Sequence, residues 1–117
     1  MSDVFSRQSF LGKDSEALFA DTRIGIVGLG GGGSHIAQQS AHVGFGKFAL
    51  FDPDFTDFPN LNRTVGATFK DARSKTPKVV VAKRMINGIN PQADVWPIKA
   101  KWQEDFPALR ACDVVLG

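Results

Sequence analysis

The chain has 117 residues, of which 43% are hydrophobic and 22% charged, and its formal net charge is +2. A chain of this length holds one domain at most, and its composition is that of a globular protein, not of a disordered segment. No apolar run is long enough to span a bilayer, no secretory signal opens the chain, and the single cysteine, Cys112, excludes an internal disulfide and a cysteine-rich metal site. We therefore predict a protein of the reducing cytoplasm.

The first half of the chain alternates helix and strand patterns. Residues 1–22 are predicted to be helical and partly exposed. The apolar run Ile24–Gly28 predicts a buried strand, and Ser34–Val43 predicts a helix that ends at Gly44. A second strand is predicted at Phe48–Phe51.

The second half continues this alternation. Residues 55–73 have a polar, irregular sequence that predicts a loop. A helix is predicted to open at Thr76-Pro77 and to close at Asn90-Pro91. The segment Val95–Ile98 predicts an edge strand because it contains a proline, and residues 113–117 predict the start of another strand.

This alternation predicts an α/β fold, a Rossmann-like parallel sheet with flanking helices. We expect two parts, an N-terminal helical segment over residues 1–22 and a nucleotide-binding domain over residues 23–117. A buried strand rarely ends a domain, because its open edge and apolar faces need neighbours. We therefore expect the chain to be the front half of a longer protein.

A dinucleotide-type fingerprint connects the first predicted strand to the next helix. Gly28, Gly30 and Gly33 have the G-x-G-x-x-G spacing that allows a tight turn, close approach of phosphate and close packing of the helix. Asp52 follows the second strand, where an acid that binds a ribose hydroxyl is expected. This pattern leaves NAD and ATP open as ligands.

The loop is not the phosphate-binding loop of kinases and many ATPases, because Ser34-His35 follows Gly33 in place of lysine and Ser/Thr. An ATP ligand would therefore need cations from elsewhere, and Arg63 and Lys78 are the candidates. Six basic residues lie between Lys70 and Arg84. They indicate either an anion-binding region or a solvated helix face.

The chain resembles the ThiF/MoeB/HesA family of adenylating domains, which are like ubiquitin-activating enzymes. The motifs that carry the resemblance are Val27 to Ser34, Asp52-Pro53-Asp54, Asn60-Leu61-Asn62-Arg63, Thr76-Pro77-Lys78, Asn90-Pro91, Cys112-Asp113-Val114-Val115 and, near the N-terminus, Ser6-Arg7-Gln8. The Asn-Leu-x-Arg element discriminates, since a nicotinamide dehydrogenase has no reason to carry it. Pro59 departs from the family, which often has serine there, so one phosphate contact is expected to be lost.

The resemblance implies roles for individual residues. The ATP loop would consist of Gly28, Gly30, Gly31 and Gly33. Asp52 would hold the ribose, while Asn60, Arg63 and Lys78 would hold the triphosphate. Arg63, Lys78 and Arg7 are the expected catalytic residues, with Arg7 acting on the ATP of a partner subunit in a homodimer.

The implied reaction is adenylation of the C-terminal carboxylate of a ubiquitin-like or sulfur-carrier protein with a Gly-Gly tail. ATP and Mg²⁺ are the implied cofactors, with the magnesium-binding aspartate expected beyond Gly117, so the chain alone is expected to be inactive. No nucleic-acid or membrane partner is expected. Two alternatives stay open, an NAD-dependent oxidoreductase and a non-catalytic module that docks a ubiquitin-like protein.

Overall fold

The computed structural model describes residues 13–60 and 63–117, which form a four-stranded parallel sheet with flanking helices. The strands are β1 (Arg23–Val27), β2 (Lys47–Phe51), β3 (Asp94–Ile98) and β4 (Val114–Leu116), and the helices are α1 (Lys13–Asp21), α2 (Gly31–Val43), α3 (Phe69–Ser74), α4 (Lys78–Ile89) and α5 (Phe106–Arg110). Short 3-10 turns cover Phe58–Asn60 and Trp102–Glu104. The strand order is β3-β2-β1-β4, all parallel, which confirms the predicted Rossmann-like fold.

The core lies between the two central strands and helices α2 and α4. Strands β1 and β2 contribute fully buried apolar side chains, and α2 contributes small ones, which allow the helix to lie close to the sheet. The core residues are Ile24, Ile26, Leu29, Ala37, Ala41, Phe48, Leu50, Val79, Ala82, Ile86 and Val95. Strand β4, in contrast, is exposed along its whole length. None of the described helices is long and apolar enough to cross a membrane.

Helix α1 packs against the turn between α2 and β2. The backbone N–H of Gly46 donates to the carbonyl of Phe19 at 3.4 Å, and the rings of Phe19 and Phe45 lie 5.2 Å apart. Lys47 forms an exposed ion pair with Asp21 at 2.8 Å. These contacts join the N-terminal helix to the sheet, and the boundary expected at residue 22 stays a prediction.

Arg23 ties the amino ends of all four strands together. Its Nη1 donates to the carbonyl of Phe48 on β2 at 3.0 Å, and its Nη2 donates to the carboxylate of Asp94 on β3. The guanidinium lies 3.5 Å from the ring centroid of Trp96. The backbone N–H of Arg23 donates to Asp113, directly before β4, at 2.8 Å. This buried cation therefore anchors the edge of the sheet opposite the glycine-rich turn.

Two predicted boundaries were wrong. The helix predicted to begin at Ser34 begins at Gly31, so the glycines form its first turn. The loop predicted over residues 55–73 contains helix α3, preceded by a capping box in which Thr68 and Asp71 satisfy each other's backbone N–H groups. A helix of six residues is too short to show a recognisable apolar periodicity in the sequence.

Candidate nucleotide-binding site

The turn from β1 to α2 requires glycine at two positions for different reasons. Gly28 adopts φ +86°, a left-handed conformation that side-chain-bearing residues rarely adopt. At Gly33, an added Cβ would lie 1.7 Å from the carbonyl oxygen of Gly28, so only glycine lets the helix pass so close to the turn. Gly30 has neither constraint, because its φ is −68° and an added Cβ would meet nothing within 4 Å. The surface beside Gly30 is therefore open to a ligand.

The first turn of α2 is suited to an anion. Its initial backbone N–H groups have no partner within the helix, and the helix dipole is positive at this end. Gly30, the N-cap residue, has no side chain with which to cap them. With open space beside it, this helix start has the features of a phosphate-binding turn.

Asp52 lies against this turn and is 5% exposed. Its Oδ2 accepts the backbone N–H of Leu29 at 2.7 Å, and its Oδ1 accepts that of Asp54 at 2.7 Å. A carboxylate has about four lone-pair positions, so each oxygen still has one for another donor. The carboxylate can therefore brace the turn and accept a ribose hydroxyl at the same time.

The structure brings Arg63 to the start of α2, although the two are distant in sequence. A Cβ added at Gly31 would lie 3.4 Å from the Cβ of Arg63, which is the short end of the range of van der Waals contact. The Arg63 residue is exposed. The Cβ of a basic residue therefore borders the open helix terminus.

Lys78 is the first residue of α4 and is only 7% exposed. Its backbone N–H donates to the carbonyl of Asp54 at 3.0 Å, two residues after Asp52. An isolated bridge between Phe55 and Pro77 continues this contact. Lys78 therefore begins its helix beside the segment that carries the ribose-binding candidate, and it does not belong to a solvated helix face.

The basic run from Lys70 to Arg84 is divided by the fold. Arg84 donates to both carboxylate oxygens of Asp71, at 3.0 and 2.6 Å. These hydrogen bonds hold the pKa of Asp71 well below its ordinary value and raise the pKa of Arg84. Arg84 is itself exposed, and the other exposed members of the run are Lys70, Arg73, Lys75 and Lys83. The solvated interpretation therefore describes those four, while Arg84 holds α3 against α4.

A cavity of about 580 Å³ lies beside the turn, between residues 54–58 and α3. Arg73 and Lys75 line it, and so does Thr56. None of the residues predicted to bind the nucleotide lines this cavity. The residues predicted to bind the nucleotide thus lie outside this cavity, which is a separate feature.

Two predicted site residues lie outside this description. Arg7 precedes the described residues, and the side chain of Asn60 is likewise outside them, although its backbone ends a 3-10 turn. Among residues 13–60 and 63–117, no three His, Cys, Asp or Glu side chains cluster to hold a metal ion. The roles expected for these two residues and for Mg²⁺ stay predictions.

Sequence reasoning missed one residue that shapes the site. Ser34 is 1% exposed, and its Oγ accepts the backbone N–H of Val65 at 3.1 Å. The same hydroxyl lies 3.1 Å from the carbonyl oxygen of Gly31 and 3.4 Å from that of Arg63. The only sequence signal was its place directly after the last glycine of the fingerprint, which does not reveal a contact across about thirty residues of chain.

Comparison with known proteins finds relatives in bacteria and in an archaeon that are named as enzymes. The chain is 32% identical over 106 residues to a tRNA threonylcarbamoyladenosine dehydratase of Bacillus subtilis. It is 37% identical over 92 residues to a molybdopterin-synthase adenylyltransferase of Haemophilus influenzae, and 31% over 102 residues to a SAMP-activating enzyme E1 of Haloferax volcanii. These matches cover 90%, 79% and 85% of the chain but 41%, 37% and 37% of the relatives. The chain thus spans about two fifths of their length.

Solved structures agree with the fold. The Escherichia coli tRNA N6-threonylcarbamoyladenosine dehydratase in complex with AMP has a TM-score of 0.81 at 28% identity, covering 92% of the chain and 44% of that protein. The same enzyme in complex with ATP has a TM-score of 0.67 at 34% identity, covering 75% and 35%. The ThiF family model matches residues 5–117. The chain therefore belongs to the ThiF family.

Proposed function

We propose that the complete protein uses ATP to adenylate a carboxylate, and that this chain supplies the nucleotide-binding part. The observation that carries the proposal is the open start of α2: Asp52 braces this turn, and the Cβ of Arg63, whose side chain carries a positive charge, lies 3.4 Å from a Cβ built at Gly31. A triphosphate that must lose pyrophosphate requires such added positive charge. The AMP and ATP complexes of a structural relative support an adenine nucleotide.

Each candidate residue has a role in the proposed reaction. Asp52 accepts a ribose hydroxyl with its remaining lone pairs, and the N–H groups of the glycine turn bind phosphate. Arg63 and Lys78 neutralise charge on the triphosphate, and the neutral Asn60 amide donates hydrogen bonds to it. A carboxylate oxygen attacks the α-phosphorus, the bond to the β-phosphate oxygen breaks, and pyrophosphate leaves with the charge that these cations stabilise. The protein contributes positioning and electrostatics, with no covalent step of its own.

For the substrate we propose the Gly-Gly carboxyl terminus of a ubiquitin-like or sulfur-carrier protein. Relatives named as a molybdopterin-synthase adenylyltransferase and a SAMP-activating enzyme support a protein substrate. In the same proposal the complete protein is a cytoplasmic homodimer that requires Mg²⁺. In it, Arg7 reaches the ATP of the partner subunit.

Thermal unfolding with saturating ATP–Mg²⁺ and, separately, with NAD tests the nucleotide. A ligand at a hundred times its dissociation constant adds about 2.7 kcal/mol to the free energy of unfolding. We expect a rise in the melting temperature with ATP and none with NAD. A rise with NAD alone would replace adenylation with hydride transfer, and no rise with either in the full-length protein would overturn nucleotide binding.

ATP–pyrophosphate exchange in the full-length protein tests the reaction. We expect exchange to require a protein with a Gly-Gly tail, and Arg63→Ala and Lys78→Ala each to lower it about a hundredfold, the effect of losing one transition-state donor. Arg73→Ala is the matched control, because Arg73 is an exposed residue of the same basic run that lines the separate cavity. Exchange that depends on a transfer RNA would reassign the substrate. Tail binding without exchange, unaffected by ATP, would indicate a docking module.

A further inference from the structure

Residues 63–68 form a segment that we call the strap, which begins at Arg63 and leads into the N-terminus of α3. It contains no regular helix or strand. Its geometry decides where the backbone and Cβ of Arg63 lie, and so what the Arg63 side chain can reach. Its contacts to the neighbouring helices therefore matter for the proposed chemistry.

One end of the strap is fixed to α2 by Ser34. The Ser34 hydroxyl accepts the N–H of Val65 at 3.1 Å. Its single hydrogen can be donated to the carbonyl of Gly31, at 3.1 Å, or to that of Arg63, at 3.4 Å. At 1% exposure, water has little access to replace these bonds. A side chain directly after the glycine turn therefore holds the backbone on both sides of Thr64.

The other end of the strap is fixed to α4. Arg84 donates from Nη2 to the carbonyl of Gly66 at 2.9 Å while it also bonds Asp71. A Cβ added at Gly66 would lie 3.1 Å from the Cβ of Met85, so the strap passes close to this helix. Because the strap is held at both ends, the position of its first residue depends on the Ser34 contact.

We propose that Ser34 is a positioning residue that fixes Arg63 over the start of α2 and so sets the affinity for the phosphates of the nucleotide. This inference rests on the proposed function, because it assigns Arg63 to the triphosphate. Ser34→Ala leaves the N–H of Val65 without its acceptor and releases the strap from α2. The expected loss of ATP affinity is roughly tenfold, about the net contribution of one hydrogen bond to a charged ligand site.

The test uses the full-length protein and two ligands, ATP and adenosine, titrated calorimetrically into the parent, Ser34→Ala, Arg63→Ala and the double variant. Adenosine lacks phosphate, so its affinity should stay within about twofold in all four proteins. For ATP, the double variant should bind no more weakly than Arg63→Ala, because Ser34 acts through Arg63. A merely destabilising effect of Ser34→Ala would be additive and would weaken adenosine as well.

Ser40→Ala is the matched control, since Ser40 is a buried serine at the other end of the same helix, where its carbonyl accepts the N–H of Gly44. It should bind ATP like the parent. Hydrogen exchange of the Val65 amide adds a readout independent of nucleotide, and only Ser34→Ala should accelerate it.

The outcomes separate the two proposals. If Arg63→Ala weakens ATP binding while Ser34→Ala binds ATP and protects Val65 like the parent, the positioning role is wrong and the proposed function stands. Additive losses in the double variant would also overturn the positioning role alone. A parent protein that does not bind ATP, or an Arg63→Ala variant that binds it normally, would overturn the triphosphate assignment and this inference with it.

Discussion

Two threonine hydroxyls show how differently the same group contributes at the residue scale. Thr56 is 1% exposed, and its Oγ1 has no hydrogen-bond partner within the described part of the chain. Thr68 uses its Oγ1 to accept the N–H of Asp71 at 3.2 Å and so caps helix α3. A buried hydroxyl without a partner is unfavourable, whereas a capping hydroxyl is favourable.

Thr56→Val and Thr68→Val should therefore change the free energy of unfolding in opposite directions. Thr56→Val removes an unsatisfied group and keeps the shape, so we expect the free energy of unfolding to rise by about 1 kcal/mol. Thr68→Val removes the cap and should lower it by about 1 kcal/mol. Urea unfolding of both variants at pH 7 measures the difference. A loss of stability in Thr56→Val would show that its hydroxyl has a partner, such as a bound water.

At this scale, residues of the strand–turn–helix motif could be predicted from the sequence, whereas a residue that contacts a distant loop could not. Spacing alone identified Gly28, Gly33 and Asp52, because a strand, a turn and a helix impose these positions. It could not show that Ser34 meets Val65, since that contact depends on how a long loop returns to the sheet. The nucleotide roles of the two glycines and of Asp52, like those of Arg63 and Lys78, stay predictions.

Helix α2 and the turn before it form one unit at the element scale, because the helix backbone at Gly33 touches the carbonyl of Gly28. We expect Gly33→Ala to push the helix from the strand and to abolish both stable folding and ATP binding, since a Cβ 1.7 Å from a backbone oxygen has no room. Gly88→Ala is the control on α4. Its added Cβ would meet nothing within 4 Å, and it should stabilise by up to ~1 kcal/mol.

Thermal unfolding with and without ATP measures both glycine variants. The expected order of melting temperatures is Gly88→Ala at or above the parent, and Gly33→Ala far below it. A Gly33→Ala protein that melts and binds ATP like the parent would mean that the turn and helix can separate without loss of function.

Helices α3 and α4 are joined by the ion pair between Asp71 and Arg84, which makes this contact sensitive to acid. The pKa of Asp71 is lowered in the folded state, chiefly by its hydrogen bonds from Arg84. A lowered pKa stabilises the fold fully above the unfolded value, near pH 4, and this stabilisation is lost as the pH falls below it. The contribution of this contact to the free energy of unfolding should therefore be full at neutral pH and smaller in acid.

Asp71→Asn removes this titration while keeping the shape of the side chain. We expect the variant to be less stable than the parent at pH 7, and the gap in the free energy of unfolding to narrow by pH 3, because Asp71 of the unfolded parent then binds a proton while the folded carboxylate stays ionised. Urea unfolding at both pH values measures the difference in free energy of unfolding between the two proteins. The titration of every other carboxylate is common to both and cancels in this difference. An equal difference in the free energy of unfolding at pH 7 and pH 3 would exclude a contribution from the Asp71 charge.

Element prediction from sequence succeeded where apolar residues form a run or recur at helical spacing between glycine or proline residues. Strand β2 and helix α4 met these conditions, and β3 lies at the sheet edge as Pro97 indicated. Helix α3 did not, because its six residues depend on a capping box and on Arg84 from another helix. The Thr68-x-x-Asp71 spacing was the available signal, and it is weak without an apolar face.

On the scale of the whole molecule, the parallel sheet has a stabilising cluster around Arg23 at one end of its strands and the candidate nucleotide site at the other. All four strands run in one direction, so their carboxyl ends meet at one edge, where the glycine turn and Asp52 lie. Their amino ends meet at the opposite edge, where Arg23 contacts the neighbouring strands. A change at the amino edge should therefore affect the free energy of unfolding and leave the nucleotide site intact.

Arg23→Leu tests this separation. The variant keeps an apolar side chain in a buried position but loses the bonds to the carbonyl of Phe48 and to Asp94. We expect a loss of about 1–3 kcal/mol, chiefly from the buried carbonyl left without its donor, since Asp94 itself is exposed enough to regain water. The dissociation constant for ATP, measured well below the melting temperature, should match that of the parent.

Lys47→Ala is the control at the same edge, because its ion pair with Asp21 is exposed on both sides and contributes little. It should unfold close to the parent in urea and bind ATP with the same affinity. The informative result is the combination in Arg23→Leu of a lower urea midpoint and an unchanged ATP affinity. A weaker affinity in folded Arg23→Leu would mean that the sheet transmits strain between its two edges, so the amino-end anchor would be part of the binding machinery and not only of the scaffold.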